Sequence, residues 1–178
     1  MARIPVLPLS CLLAFAGATA IPAADAATVN RKIYFNAAAH CQAALPVYDG
    51  RIRKRPLAVQ NEGSASAYVT CAIATPGELR YLVVFASSHD GGTHRVECTA
   101  ISGTKGHGVY MGRGVTTPAD GTTIPMQWNG VAWGGPLAGP AGLPNFFFGP
   151  YLSVSCLLPP GSGLNNFEVT YEEEIGLV

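Results

Sequence analysis

The chain has 178 residues, a formal net charge of zero and 12% charged residues against 48% hydrophobic ones. That length and apolar content suit one globular domain with a real core. The missing basic excess sets aside a nucleic-acid binder, which must offset phosphate charge.

Taken in chain order, Arg3 opens an apolar run from Ile4 to Ala20, broken by Pro5 and Pro8. Ala24-Asp25-Ala26 then fits the small-residue cleavage pattern of a signal peptide. Ala18-Thr19-Ala20 is an earlier possible cut. The run is shorter than the ~20 apolar residues of a spanning helix. Residues 1–26 therefore read as a signal peptide, and 27–178 as one mature domain, secreted or periplasmic, with no membrane insertion. Losing Arg3 and Asp25 leaves that domain neutral.

Strands are expected at 31–36, 45–48, 51–53, 57–60, 65–74, 79–87, 94–102, 107–112, 124–128, 131–133, 151–157 and 165–173. Asp49-Gly50 and Asn129-Gly130 read as two-residue hairpin turns, where both central residues take positive φ. Pro76-Gly77 and Pro159-Pro160-Gly161 are further breaks. No helical period of useful length appears. The 21 glycines and 14 prolines fit many short strands. The expected fold is all-β, a disulfide-stapled β-sandwich, with a barrel as the alternative. Residues 112–150, dense in Gly and Pro, read as long loops around one hairpin.

Of five cysteines, Cys11 falls in the leader, leaving Cys41, Cys71, Cys98 and Cys156. An even count in an exported chain implies two bridges with three possible pairings, of which Cys41–Cys71 with Cys98–Cys156 is preferred. They lie too far apart in sequence for a zinc cluster of close pairs. Side chains alternate along a strand. Val69, Cys71 and Ile73 therefore share one face, opposite Tyr68 and Thr70. Val96, Cys98 and Ala100 share another, opposite Arg95, Glu97 and Thr99. Leu152, Val154, Cys156 and Leu158 share a third, opposite Ser153 and Ser155. The bridges are expected between sheets or against the core. Tyr68-Val69-Thr70-Cys71 with its Pro-Gly turn is echoed by Ser153-Val154-Ser155-Cys156 with its own.

Three constellations could carry function. In His89-Asp90-Gly91-Gly92-Thr93-His94, two imidazoles and a carboxylate flank a hairpin loop and could converge on zinc or copper, with His107 from the neighbouring strand; a solvated polar loop is the alternative. Around Asn129-Gly130, Met126, Trp128, Val131 and Trp133 project to one face, which either covers the core or forms an exposed platform for a sugar ring or a protein. Phe146-Phe147-Phe148 poses the same choice. Arg51, Arg53, Lys54 and Arg55 form a basic cluster, and Glu168, Glu172, Glu173 and Glu174 an acidic end, read as solvated edge charges. No G-x-S-x-G, H-E-x-x-H or Gly-rich phosphate loop occurs in the sequence.

The leader, the four spaced cysteines and the ending Cys156-Leu157-Leu158-Pro159-Pro160-Gly161 followed by Phe167-Glu168-Val169-Thr170-Tyr171-Glu172 resemble small secreted β-rich proteins of Gram-negative bacteria. The resemblance implies export and a β-rich fold, and assigns no activity. The sequence thus reads as an exported, non-enzymatic protein with a structural or partner-binding role and no cofactor. The alternatives are a carbohydrate-binding module using Met126, Trp128 and Trp133, with a polysaccharide or another surface protein as partner, and a small metal-dependent enzyme using His89, Asp90 and His94.

Overall fold

A computed structural model describes residues 27–74, 76, 78–104, 107–129 and 151–176. The expected signal peptide, the Val131–Trp133 strand, Trp133 and the Phe146–Phe148 run lie outside the described residues, as does most of the expected Gly/Pro loop region.

Among the described residues eleven strands follow in chain order: β1 (Ala27–Asn36), β2 (Cys41–Ala43), β3 (Ile52–Arg55), β4 (Ala58–Asn61), β5 (Ala67–Ala74), β6 (Glu78–Ser88), β7 (His94–Thr104), β8 (His107–Thr117), β9 (Ile124–Asn129), β10 (Tyr151–Leu158) and β11 (Ser162–Ile175). They form two antiparallel sheets. One has the order β3-β4-β11-β6-β9, with β1 also pairing β11; the other has the order β2-β5-β10-β7-β8. Neither path closes on itself among the described residues, so the architecture is the sandwich and not the barrel.

Alternation explains why these strands bury one face. In β5 the buried residues are Ala67, Val69, Cys71 and Ile73, and the exposed or half-buried ones are Tyr68, Thr70, Ala72 and Ala74. The inward rows of the two sheets, including Val84, Leu82, Phe167, Val169, Val96, Val154 and Leu158, make one core. Trp128, fully buried, donates its indole N–H to the Met111 carbonyl at 2.9 Å and ties β9 of one sheet to β8 of the other.

All four cysteines of the domain are buried and bridged, Cys41 to Cys71 and Cys98 to Cys156. Of the two expected placements, between sheets or against the core, the bridges take the second. Each joins directly opposed residues on adjacent strands of the five-stranded sheet, Cys41 on β2 facing Cys71 on β5 and Cys98 on β7 facing Cys156 on β10. The physical reason is spacing. Opposed inward residues of one sheet stand about 4.5–5.5 Å apart, within disulfide reach, whereas packed sheets stand about 10 Å apart.

Three local expectations are corrected. Leu45–Tyr48 is not a strand: Pro46–Tyr48 is a single 3-10 turn started by Pro46, whose ring pre-sets φ. Asp49 has φ −56°, so Asp49-Gly50 is not a positive-φ hairpin turn. Instead β3 pairs with β4 across Pro56-Leu57. Four residues, Ala37–His40, form a short helix whose N-terminal amide at Ala38 is capped by the Asn36 side chain. The stretch expected to be loop from Gly112 is strand as far as Thr117.

The sequence echo has a counterpart in space. β5 leads into β6 and β10 into β11, each pair passing from the five-stranded to the six-stranded sheet. β5 lies antiparallel to β10 and β6 antiparallel to β11. The two arches thus sit side by side.

Candidate functional site: the outer face of the five-stranded sheet

The residues singled out by sequence fall into two groups, and neither assembles an open site. Asp90 and His94 meet, with Nε2 2.6 Å from Oδ1. The same carboxylate oxygen accepts from the Gly92 amide and the Ser88 hydroxyl. These contacts, the His94 hydrogen bond foremost, hold the Asp90 carboxyl down to a pKa of about 2. His89 turns the other way. Its Nδ1 lies 3.2 Å from the Gln60 amide and its Nε2 3.1 Å from the Ser87 hydroxyl, and burial lowers its pKa. Among the described residues no group of three or more His, Cys, Asp or Glu side chains is placed to hold a metal. His107 stands opposite Thr104, at the far end of β7 from His94. At about 3.4 Å per residue those ends are some 34 Å apart. The expected convergence of His89, Asp90, His94 and His107 therefore fails: in the bend after β6 His89 turns to Gln60 and Ser87 while Asp90 turns to His94, and the length of β7 removes the fourth.

The loop instead acts as a clasp. The His89 amide donates to the Gly161 carbonyl at 2.7 Å. Gly161 has φ +75°, and a Cβ there would lie 1.9 Å from the Asp90 carboxylate. Glycine at this turn lets the β6–β7 loop close onto the β10–β11 turn.

Met126 and Trp128 are 2% and 0% exposed. They cannot be an accessible binding platform, because their face of β9 packs inward under the five-stranded sheet. The acidic end is also occupied: Glu168, Glu172 and Glu173 pair with Lys32, Arg80 and Arg31. The outer face of the six-stranded sheet is thereby laced with ion pairs.

The outer face of the five-stranded sheet differs in chemistry. The registers align one row across all five strands: Gln42, Thr70, Ser155, Thr99 and Gly112. No member of that row is ionisable. At about 4.8 Å per strand gap it spans roughly 19 Å. On one side lies the row Tyr68, Leu157, Glu97, Gly114; on the other lies Ala72, Ser153, Ile101, Tyr110. Tyr68 is 44% and Tyr110 66% exposed, and they stand at diagonally opposite corners. The Tyr48 ring lies 6.4 Å from that of Tyr68, and the Arg51 guanidinium 5.8 Å from the Tyr48 centroid. The hydroxyls of Thr70, Thr99, Ser153 and Ser155 make no hydrogen bond to another described residue. Each offers one donor and two acceptors outward.

Beyond Thr99 the sheet surface drops. Gly112 and Gly114 lack side chains, and a Cβ at Gly112 would meet nothing within 4 Å. The result is an open trough of about 340 Å³ lined by Arg95, Glu97, Cys98, Thr99, Gly112, Arg113 and Gly114. Sequence reasoning placed the outward residues of three of these strands opposite the cysteines without marking them as a site. The signal was present: every outward residue at the centre of those strands is a small hydroxyl.

No protein-family model matches the sequence, and no curated protein does. Several solved structures are similar at low identity. A family 61 carbohydrate-binding module in complex with β-1,4-galactotriose is 9% identical, with a TM-score of 0.38 over 81% of this chain and 88% of that one. A family 4 carbohydrate-binding module is 8% identical, with a TM-score of 0.38 over 80% and 86%. The family 11 module from Clostridium thermocellum in complex with a β-1,3-1,4-mixed-linked tetrasaccharide is 10% identical, with a TM-score of 0.35 over 85% and 89%.

Proposed function

We propose that this chain is an exported, non-enzymatic binding protein that holds a polysaccharide on the outer face of its five-stranded sheet. The observation that carries the reading is the uncharged row Gln42–Thr70–Ser155–Thr99–Gly112, whose hydroxyls make no hydrogen bond to another described residue, set between exposed Tyr68 and Tyr110. A sugar chain presents many hydroxyls and apolar ring faces. Outward Ser and Thr hydroxyls match the first, and tyrosine rings match the second while keeping a polar tip. A sheet held by two buried disulfides is a pre-organised surface, so binding does not have to order it. The leader-like start and the disulfides, which form in oxidising compartments, support export.

The reading differs from the sequence expectation in its residues. Tyr68 and Tyr110, not Trp128, are the aromatic contacts. Isothermal titration of the oxidised full chain against a panel of soluble polysaccharides tests it. At least one glycan binds, and Tyr68→Ala/Tyr110→Ala weakens it at least ~10-fold, about 1.4 kcal/mol. Binding unchanged in the double variant refutes the site.

A further inference from the structure

We infer that β8 is a self-association edge, through which two copies of this chain join antiparallel into one continuous sheet. A bare strand edge invites pairing, and chains guard it with charge, Pro, bulges or brevity. The other sheet edges have such guards. β9 carries Pro125, β3 carries Arg53-Lys54-Arg55, β1 carries Arg31-Lys32, and β2 is three residues long. β8 runs for eleven residues without a lysine or a proline, in one unbroken register with β7. No other described strand pairs with it.

The backbone of β8 presents the right groups. The Cα atoms of Cys98 and Cys156 are 4.0 Å apart, the close and non-hydrogen-bonded kind of antiparallel pair. The N–H and C=O of Cys98 therefore turn away from β10 and towards Arg113 on β8. Alternation then turns those of Gly108, Tyr110, Gly112, Gly114 and Thr116 to the free edge.

The outward side chains of the same residues set the register. Tyr110 is large and 66% exposed, whereas Gly112 and Gly114 leave a trough. A two-fold axis through Gly112 sets that glycine against its own copy and each Tyr110 against Gly114 of the other chain. The bulky residue meets the empty one twice. The Arg95 guanidinium lies over Gly114, where a Cβ would stand 2.8 Å from its Nη2, so the incoming ring stacks on a cation. The opposed pairs exchange about ten backbone hydrogen bonds. Arg113 is in phase with inward Met111 and Val115 but is exposed. β8 and β9 end their sheets on one side, tied by the Trp128–Met111 hydrogen bond, so an added strand lies past the core and leaves Arg113 in water. The association stands without the sugar reading. Under that reading it extends the lane across both copies, to roughly 43 Å at about 4.8 Å per gap.

Sedimentation of the oxidised full chain tests this, and a dimer is expected. Gly112→Lys is the decisive variant. A Cβ there meets nothing within 4 Å, so the single copy keeps its fold and its circular dichroism spectrum. In the dimer the two introduced ammonium groups face each other, and association weakens at least ~10-fold. Leu57→Lys, at a site 78% exposed and away from β8, leaves the dimer unchanged. Hydrogen exchange identifies the edge: the amides of Tyr110, Gly114 and Thr116 are protected in the dimer and exchange rapidly in Gly112→Lys. A chain that stays monomeric up to ~1 mM overturns the inference. So does a dimer that keeps its affinity in Gly112→Lys, or one in which those amides exchange freely. Each of these results leaves the sheet-face reading in place, since glycan titration decides that separately.

Discussion

Removing the Cys98–Cys156 bridge costs more than removing Cys41–Cys71, by an amount the topology sets. The first bridge closes a loop of 58 residues and the second a loop of 30. Loop-closure entropy then gives about 4.2 kcal/mol for the longer and about 3.6 kcal/mol for the shorter at 25 °C. The loops follow one another in sequence without interlocking, so their closure entropies in the unfolded chain sum to about 8 kcal/mol. A domain of this size holds roughly 5–15 kcal/mol in all. The single variants Cys98→Ala/Cys156→Ala and Cys41→Ala/Cys71→Ala therefore fold with Tm lowered by roughly 8–17 and 7–14 °C, at ~2–4 °C per kcal/mol. The quadruple variant is at the edge of folding. Urea melts followed by circular dichroism measure both losses. A larger loss for the Cys41–Cys71 pair, or a fully reduced chain as stable as the oxidised one, refutes the loop-closure reasoning.

Other outcomes follow from single contacts. Trp128→Phe exchanges the buried indole for a smaller phenyl ring and leaves the Met111 carbonyl without its donor, costing at least about 1–3 kcal/mol in urea melts. Gly161→Ala forces a side chain into positive φ and against Asp90, costing ~1–3 kcal/mol from backbone strain alone, and hydrogen exchange at His89 accelerates. Acid loosens the same clasp in two stages. Burial lowers the His89 pKa, so its contribution is complete above the ordinary 6.5 and is lost as pH falls from there towards the folded value. The Asp90 pKa is held at about 2, so its contribution is complete above the ordinary 3.8 and is lost as pH falls to about 2. Tm measured from pH 7.5 to 2 shows both steps; His89→Gln removes the first and Asp90→Asn the second.

The sandwich was legible because period-two alternation marks a half-buried strand without reference to its partner. Cys71, Cys98 and Cys156 fell on apolar faces by that rule, and all three are buried. The short elements were not legible. Cys41-Gln42-Ala43 is too brief for alternation to register, and Leu45–Tyr48 has strand-like residues that Pro46 turns into 3-10 structure. Alternation also cannot say whether an apolar face is covered. Met126 and Trp128 were placed on one face, but their burial depends on a sheet built from distant segments. The row of the proposed site escaped for a related reason. Gln42, Thr70, Ser155, Thr99 and Gly112 come from five strands, and strand order, not any local motif, brings them into line. The histidine loop misled in the opposite sense, since closeness in sequence placed His89 and His94 on different partners.

The most direct measurement is amide chemical-shift mapping by NMR as an oligosaccharide of the best-binding polymer is added to the oxidised protein. Shifts concentrated at Gln42, Thr70, Ser155, Thr99, Gly112 and their flanking tyrosines are the predicted result. Shifts confined to the ion-paired face of β1, β11 and β6, or no saturable shift with any glycan, contradict it.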